Sequence, residues 1–208
     1  MYANKTIRDH FTFRVILQGM SHPGKIYPLS GLPTPSSDTG TSSRRYPGKT
    51  SLLSNLSGAG SAVIEILGCL MDNEVNFAII GDNDMETVIA RHTESRPVSA
   101  EDADYIIVRN GTTRGKLAGF KRGSLEYPDT GATILYLVEA LSEARGEIVL
   151  SGPGVNGTVS LRITGLDPSE LQLLMEVNRE FPLGVDAMFL DQGGNIACIP
   201  RSSRIGVN

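Results

Sequence analysis

The sequence is poor in the residue types that most often bind metal ions. Its two cysteines, Cys69 and Cys198, lie far apart along the chain and in apolar surroundings. That setting predicts two buried thiols in a reducing cytoplasm. The three histidines, His10, His22 and His92, are scattered and share no recognisable ligand spacing with the cysteines. We therefore expect no metal site.

A strong charge of either sign is also missing. The 208 residues carry a formal net charge of -4, which is too weak a field to attract nucleic acid or an anionic membrane surface. The apolar runs are much shorter than the roughly 20 residues that cross a bilayer. The opening "MYANKTIRDH" is polar and has no signal-peptide core. With 40% apolar residues, the composition predicts one globular domain over 1–208, located in the cytoplasm.

Residues 30–49 have almost no apolar content. They read "SGLPTPSSDTGTSSRRYPGK" and are dominated by Ser, Thr, Pro and Gly, so we expect a mobile loop. A structureless stretch of about twenty residues is unusual within a compact domain, so the segment is either a disordered insertion or a functional flap. Its cations Arg44, Arg45 and Lys49 either close on an anionic ligand or belong to a solvated loop.

Elsewhere the spacing of apolar residues alternates between the helical and the strand period. Helices are predicted over 11–20, 57–71, 84–92 and 113–120, and from Asp167 to a stop at Pro182. Strands are predicted over 25–29, 76–80, 105–108, 132–141, 147–151, 158–164, 185–191 and 195–200, the last two joined as a hairpin through "QGGN". This order of elements predicts a mixed α/β sheet with helices on its faces.

The helix that follows Asp167 has the clearest start signals. Asp167 stands at the cap position and Pro168 at the first helical position. Glu170 stands where a capping box places its acidic residue. These three residues predict a helix that begins at 168.

Three glycines, Gly152, Gly154 and Gly157, have the G-x-G-x-x-G spacing of dinucleotide-binding loops. Such a loop needs a helix directly after it, whose free N–H groups face the pyrophosphate. Here residues 158–164 alternate between polar and apolar side chains, which predicts a strand. The glycines therefore predict a turn between two strands. The "GKTS" of 48–51 likewise lacks the first glycine and the preceding strand of a phosphate-binding loop.

No other pattern marks an active site. Ser21 directly precedes His22, and Ser202 directly precedes Ser203, so a nucleophile–base pair is one interpretation of these residues. Turn chemistry around Pro23 is the alternative, and G-x-S-x-G is absent. None of the five lysines lies in an apolar strand-end setting suited to Schiff-base chemistry. Composition and spacing alone therefore predict an α/β protein with no self-evident active site.

Five blocks of sequence, taken together and in order, resemble one family. They are "FRVILQGMSHPG" (13–24), "GSLEYPDTGATILYLVEAL" (123–141), "LSGPGV" (150–155), "FPLGVDAMFL" (181–190) and "IACIPRSSRI" (196–205). The combination resembles the PhnH family, subunits of the bacterial carbon–phosphorus lyase system that breaks down phosphonates. The resemblance spans nearly the whole chain. Two departures are the longer 30–49 loop and "PRSSR", which stands where the family pattern has Pro-Arg-Thr-Thr.

The resemblance implies a mixed-sheet, three-layer fold related to pyridoxal-phosphate-dependent transferases. The fold would be reduced and without the cofactor lysine, so no cofactor is expected. The resemblance also implies a homodimer that joins the partner subunits PhnG, PhnI and PhnJ in a core complex. In the family's pathway the G, H, I and L subunits together replace the adenine of MgATP with an alkylphosphonate, as an alpha-D-ribose 1-methylphosphonate 5-triphosphate synthase. A separate radical iron–sulfur subunit later cuts the carbon–phosphorus bond.

The nucleosidase chemistry of that pathway is generally placed on the I subunit. The resemblance therefore implies that this chain is an essential, non-catalytic subunit, inactive alone, with a structural or ligand-binding role. One alternative is a small-ligand binding protein for a phosphonate or a nucleotide. The other is a stand-alone transferase-like enzyme.

Five residues within these blocks are candidates for binding a ligand: Arg14, Ser21, Asp186, Arg201 and Ser202. Asp186 begins a predicted strand with a carboxylate that pairs with Arg14 or with Arg201, or is an unrelated surface charge. Arg201 follows a strand-ending proline and precedes two hydroxyls. That grouping either binds a phosphate or phosphonate oxygen or fixes the C-terminal tail to the sheet. No catalytic residue is predicted.

Overall fold

The computed structural model describes residues 2–29, 60–81, 85–143 and 148–207. Within these ranges the α-helices are α1 (Tyr2–Ser21), α2 (Gly60–Leu70), α3 (Glu86–Thr93) and α4 (Pro168–Val177). Short 3-10 helices span Lys116–Gly119 and Pro128–Thr130. None of the described helices is both long and apolar enough to cross a membrane. The predicted 30–49 loop and the "GKTS" stretch lie outside the described residues.

The strands of the described ranges form two separate sheets. They are β1 (Tyr27–Pro28), β2 (Asn76–Ile80), β3 (Arg96–Pro97), β4 (Tyr105–Val108), β5 (Thr133–Leu137), β6 (Ala140–Ser142), β7 (Ile148–Ser151), β8 (Val159–Thr164), β9 (Asp186–Leu190), β10 (Asn195–Ile199) and β11 (Arg204–Val207). In the described part of the chain, the larger sheet has seven strands in the order β1-β10-β9-β5-β4-β2-β3. Neighbours from β9 to β3 are parallel, whereas β10 and β1 run antiparallel to their neighbours. The predicted mixed α/β sheet and the β9–β10 hairpin are confirmed.

The two faces of the seven-stranded sheet are covered by different elements. The helices α1, α2 and α3 pack on one face, in a core that includes Val15, Ile66, Phe77, Ile89, Leu135 and Met188. Helix α4 and the smaller sheet pack on the other face, in a core that includes Ile106, Ile134, Tyr136, Leu161, Leu174 and Phe189. Neighbouring strand residues contribute to opposite cores because successive side chains of a strand point to opposite faces.

The smaller sheet has the antiparallel order β11-β7-β8-β6. The connection from β7 to β8 contains Gly152, Gly154 and Gly157, all with positive φ, so the predicted glycine turn between two strands is confirmed. A Cβ atom on Gly154 would collide with the carbonyl oxygen of Ser21 at the end of α1. The turn therefore packs on α1 only because residue 154 is glycine.

The single strand predicted over 132–141 is wrong, because the structure has β5 and β6 in two different sheets. The main-chain N–H of Val138 still donates to Leu190 of the larger sheet (2.9 Å). The next N–H, of Glu139, donates to Thr164 of the smaller sheet (2.9 Å). The chain changes sheet at a bend at Glu139, which lies between two extended runs, so its apolar pattern contains no sign of the change.

The helix predicted over 113–120 is also wrong beyond one 3-10 turn at Lys116–Gly119. Arg114 and Gly115 have φ values of 55° and 78°, in the left-handed region that a right-handed helix excludes. The main-chain N–H of Thr113 donates to the Glu170 carboxylate (2.6 Å), which belongs to α4. The strands over 76–80 and 105–108 have the predicted ends, and the other predicted elements are present with shifted ends. The strands β3 and β11 were not predicted.

Helix α4 begins as predicted and ends early. The Asp167 carboxylate accepts a hydrogen bond from the Ser169 N–H (2.9 Å), and Pro168 is the first helical residue. The helix ends at Val177, before the predicted stop at Pro182. Glu170 does not close a capping box, because its side chain is buried and faces other partners.

Candidate functional site

The amino ends of the parallel strands carry an ion pair between Asp186 and Arg201. Asp186 begins β9, and Arg201 follows β10, whose antiparallel direction brings its end to the same edge. The guanidinium donates to Asp186 Oδ2 from Nε (3.1 Å) and Nη2 (2.6 Å). The Arg201 main-chain N–H donates to Oδ1 (2.8 Å). Of the pairings considered for Asp186, the structure therefore has the one with Arg201.

The Arg201 guanidinium also binds the segment 122–131. Nη1 donates to the Pro128 carbonyl, and Nη2 donates to the Gly131 carbonyl (3.3 Å). A Cβ atom on Gly131 would run into this guanidinium, so the close approach requires glycine. With its side chain only 13% exposed, Arg201 fixes the chain after β10 to the sheet. Direct binding of a ligand by Arg201 stays a prediction.

An open cleft of about 530 Å³ lies beside this ion pair. It is bounded by the end of α4, by the β7–β8 turn and by the chain that follows β10. Its charged and hydroxyl-bearing lining residues are Arg179, Arg201, Ser202, Ser203 and Arg204. Its apolar side chains include Pro153, Leu174, Met175, Phe181 and Ile205. No carboxylate is among the described residues that line the cleft.

Several polar groups of the cleft have unused bonding capacity. Arg179 and Arg204 are exposed, and neither has an ion-pair partner within the described ranges. The Ser203 hydroxyl oxygen is buried, and it makes no hydrogen bond with any described group. Phe181 is 63% exposed and Met175 is 42% exposed. The cleft thus combines cations, a buried hydroxyl and an accessible apolar wall.

The structure separates the other predicted site residues. Ser202 lines the cleft, and Ser21 lies next to the β7–β8 turn that borders it, through the close approach of its carbonyl to Gly154. Arg14 is exposed on α1 and lines a shallow groove there with Ile7 and other α1 residues. The structure thus groups Asp186, Arg201 and Ser202 and leaves Arg14 on a different surface. The binding roles of all five residues remain predictions.

Sequence reasoning missed a second polar cluster, centred on Glu170 at the carboxyl ends of the parallel strands. Its carboxylate is fully buried and accepts hydrogen bonds from the Thr113 N–H (2.6 Å) and the Thr113 hydroxyl (2.8 Å). The Tyr136 hydroxyl donates at 2.7 Å and the Thr112 hydroxyl at 3.3 Å. A signal was present, because Glu170 shares the buried stripe of α4 with Leu174 and with Val177.

Burial, together with the adjacent Glu170 charge, raises the pKa of Tyr136 well above 10. The phenol therefore stays protonated and remains a hydrogen-bond donor. The Tyr136 ring also stacks on Phe189 at a centroid distance of 5.2 Å. These contacts make the Glu170 cluster a closed structural unit in which each hydrogen bond joins parts of the same chain.

The cysteines and the lysines whose side chains the structure describes, Lys25, Lys116 and Lys121, lie outside both clusters. Burial raises the pKa of Cys198 to about 12, and burial also raises the pKa of the half-buried Cys69, so both thiols resist ionisation. Lys121 pairs with Asp104 at 2.8 Å. Within the described ranges, no three His, Cys, Asp or Glu side chains are placed to hold a metal ion.

A family model described as "Bacterial phosphonate metabolism protein (PhnH)" matches residues 1–206. The chain belongs to the PhnH family. A protein of Stutzerimonas stutzeri named as a C-P lyase subunit protein, HtxG, is 28% identical over 204 residues, covering 96% of this chain and 87% of the relative. The "Alpha-D-ribose 1-methylphosphonate 5-triphosphate synthase subunit PhnH" of Rhizobium meliloti (strain 1021) is 23% identical over 206 residues, covering 98% and 93% of the two chains. The family resemblance seen in the sequence is confirmed.

Proposed function

We propose that this PhnH-family chain is a subunit of a carbon–phosphorus lyase assembly in phosphonate breakdown, and that it contributes by binding. The observation that carries the proposal is the family match across residues 1–206. Two relatives that cover nearly the same length are named as subunits of such systems. The finer proposal is that the chain helps to form ribose 1-phosphonate 5-triphosphate from MgATP and an alkylphosphonate. We place it in the cytoplasm because the proposed substrate is MgATP.

A non-catalytic role is supported by the chemistry of the cleft. Its described lining side chains are guanidinium groups, hydroxyls, one amide and apolar groups. Such groups hold oxyanions and apolar surfaces, whereas proton transfer near neutral pH is typically carried out by imidazole, carboxylate or amine groups. The buried carboxylate of Glu170 is engaged by Thr113 and Tyr136. In the proposal, partner subunits such as PhnI therefore supply the reacting groups.

The experiment is reconstitution with the partner subunits PhnG, PhnI and PhnL. We expect this chain to co-purify with PhnG, PhnI and PhnJ and to be inactive alone. Synthase activity should be lost when the chain is omitted and return when it is added back. The purified chain forming the triphosphate product unaided would refute the non-catalytic role. Full activity without the chain would refute the proposal as a whole.

The homodimer is part of the same proposal, and the outer face of α1 is our candidate interface. Ile7, Phe13 and Leu17 are 59%, 49% and 53% exposed there, and Arg14 lies between them at helical spacing. Pairing with a second copy would remove this apolar surface from water. Phe13→Asp should shift the mass measured by light scattering from dimer to monomer, whereas Thr6→Asp, also exposed on α1, should leave it unchanged. A wild-type monomer would exclude the homodimer.

The relation to pyridoxal-phosphate-dependent transferases also remains a proposal. It is supported by the mixed sheet of seven described strands, on one face of which the described helices α1, α2 and α3 pack. We expect no new absorbance band when pyridoxal phosphate is added to the chain, because the described lysines are exposed or paired, as Lys121 is with Asp104. A stable band that borohydride traps on a lysine would favour the stand-alone enzyme instead.

A further inference from the structure

We propose that the cleft between α4 and the chain after β10 binds a phosphoryl or phosphonyl oxyanion that is attached to an apolar or aromatic body. Ser203, Arg179 and Arg204 would bind the oxyanion, and Phe181 and Met175 would contact the body. The inference goes beyond the proposed function, because a chain that joined no partner could still bind such a ligand. It also moves the binding role from Arg201 to its neighbours.

The buried hydroxyl of Ser203 is the first observation. Its oxygen is out of contact with water, yet it has no hydrogen-bond partner within the described structure. Buried polar atoms in native proteins are nearly always paired. The Ser203 main-chain N–H donates to the Pro200 carbonyl at 2.8 Å, so the backbone of this turn is held in place. Because Ser203 lines the cleft and its hydroxyl is unpaired, a rotation of this side chain toward the cleft would give an oxyanion a donor on a backbone that is already held.

The local charge is the second observation. The chain as a whole is acidic, at -4, but the described lining of this cleft contains three arginines and no carboxylate. Arg201 is used by Asp186 and two carbonyls. Arg179 and Arg204 have no ion-pair partner in the described ranges. The planar guanidinium matches phosphate geometry through paired N–H donors, so these two cations suit an oxyanion.

The walls of the cleft indicate what else the ligand carries. Phe181 and Met175 are accessible to solvent, and Leu174 lies behind them. The turn that carries Phe181 is held at its ends, because Asn178 Oδ1 accepts from the Val185 N–H (2.7 Å). A volume of about 530 Å³ falls within the range of about 300–1,000 Å³ for small-molecule sites. Bare phosphate would leave the apolar wall uncovered, so a larger ligand is expected.

The position of Arg201 explains why it acts on the site indirectly. Its main-chain N–H and its guanidinium are both bound to Asp186. These bonds fix residue 201 and therefore the direction in which Ser202, Ser203 and Arg204 leave the sheet. Arg201 is thus a positioning residue for the oxyanion donors.

The test is calorimetric titration of the full chain with MgATP, methylphosphonate and inorganic phosphate as three separate probes. We expect saturable binding of MgATP or methylphosphonate that is tighter than binding of inorganic phosphate. The MgATP and methylphosphonate arms distinguish an aromatic nucleotide body from a small alkyl body. Binding of no probe, or equal weak binding of all three, overturns the proposal. The arginines of the cleft would then be assigned to contact with an acidic segment of a partner.

Variants locate the binding in the cleft. Arg179→Ala and Arg204→Ala should each weaken binding about tenfold, as expected for loss of a charge-assisted hydrogen bond. Arg91→Ala removes an exposed arginine on α3, in the opposite layer, and should leave the affinity unchanged. If all three variants bind the probe as tightly as the wild type, the binding site lies elsewhere and the proposal is overturned.

Ser203→Ala separates a binding role from a structural one. The substitution removes a hydroxyl that has no partner in the free protein, so the melting temperature of the free chain should stay the same or rise. Affinity for the bound probe should nevertheless fall several-fold. A variant that melts lower but binds as tightly as the wild type would show that the hydroxyl is structural.

Discussion

The two polar clusters at opposite ends of the seven-stranded sheet are completed in different ways. At the carboxyl ends, Glu170 is fully buried and accepts hydrogen bonds from Thr113 and Tyr136. At the amino ends, the turn after β10 contains a buried Ser203 hydroxyl without a partner among the described residues. Arg204, which begins β11 directly after this turn, is an exposed cation with no counter-charge in those ranges. The first cluster is closed within the chain, and the second is open.

This difference separates groups that stabilise the fold from groups that are available to another molecule. A buried polar network whose members are all paired makes the native state unique, and loss of one member leaves the others unsatisfied. A donor that is unpaired in the free protein gains its partner only on binding. Substitutions in the Glu170 cluster should therefore change stability, whereas substitutions at Ser203 should change binding.

The largest expected effect is that of Glu170→Ala. It leaves the Thr113 N–H and the hydroxyls of Thr113 and Tyr136 without an acceptor in the core. We expect the free energy of unfolding to fall by about 3–5 kcal/mol, measured by urea denaturation. Glu176→Ala, at an exposed position of the same helix, should change it by less than about 0.5 kcal/mol. Equal small effects would show that the cluster is not a structural unit.

The next largest effect is expected at the Asp186–Arg201 ion pair. This pair lies at the amino ends of the strands, and its partners belong to the same chain. Asp186→Ala leaves a guanidinium that is only 13% exposed without its counter-charge. We expect a loss of about 2–3 kcal/mol in unfolding free energy, somewhat below the cost at a fully buried pair. Asp129→Ala, at an exposed carboxylate, is the control. A double-mutant cycle with Arg201→Ala should show strong coupling, and additive losses would contradict a direct role for the pair.

Tyr136→Phe should have a smaller effect that depends on pH. Because the folded state raises the pKa of Tyr136 well above its unfolded value of 10.0, the stability that the phenol contributes is complete below pH 10 and is lost as the pH rises further. The variant should be less stable than the wild type by about 1 kcal/mol at neutral pH. The two should converge in unfolding free energy above pH 10. A constant difference across this range would contradict the closed cluster.

Asp167→Asn should have the smallest effect. The Ser169 N–H, and then the Ser169 hydroxyl, lower the pKa of Asp167 from its usual 3.8. The contribution of the charged cap is therefore present above pH 3.8 and is lost as the pH falls through the lower folded-state pKa. The urea midpoint of the variant should lie slightly below that of the wild type at neutral pH and coincide with it in strong acid. A difference that persists in strong acid would show that the charge is not the cause.

Much of the larger sheet was predictable from the sequence. The strands Asn76–Ile80 and Tyr105–Val108 are short apolar runs between turn residues, and both are confirmed with the predicted ends. The glycine turn before β8 was predictable because its next residues alternate with period two. Asp167 and Pro168 likewise marked the start of α4, since cap chemistry is local.

Contacts between distant segments were not predictable. Glu170 stands at a capping-box position, but its partners come from Thr113 and from Tyr136 in other elements. The split of 132–141 into two sheets depends on which strands the chain meets. Arg179 and Ser203 line the same cleft although they lie far apart in the sequence. The sequence identified Arg201 and Ser202 as candidates and offered Arg201 as a partner for Asp186, but it contained no sign that the guanidinium also binds the Pro128 and Gly131 carbonyls.

The contrast between a closed and an open cluster is tested most directly by amide chemical shifts of the isotope-labelled chain during titration with MgATP and methylphosphonate. The account predicts shifts that saturate at Ser202, Ser203, Arg204 and Arg179, while the amides of Thr112 and Thr113 beside Glu170 stay unchanged. Shifts confined to the Glu170 cluster, or no saturable shift around Ser203 with either ligand, would contradict it.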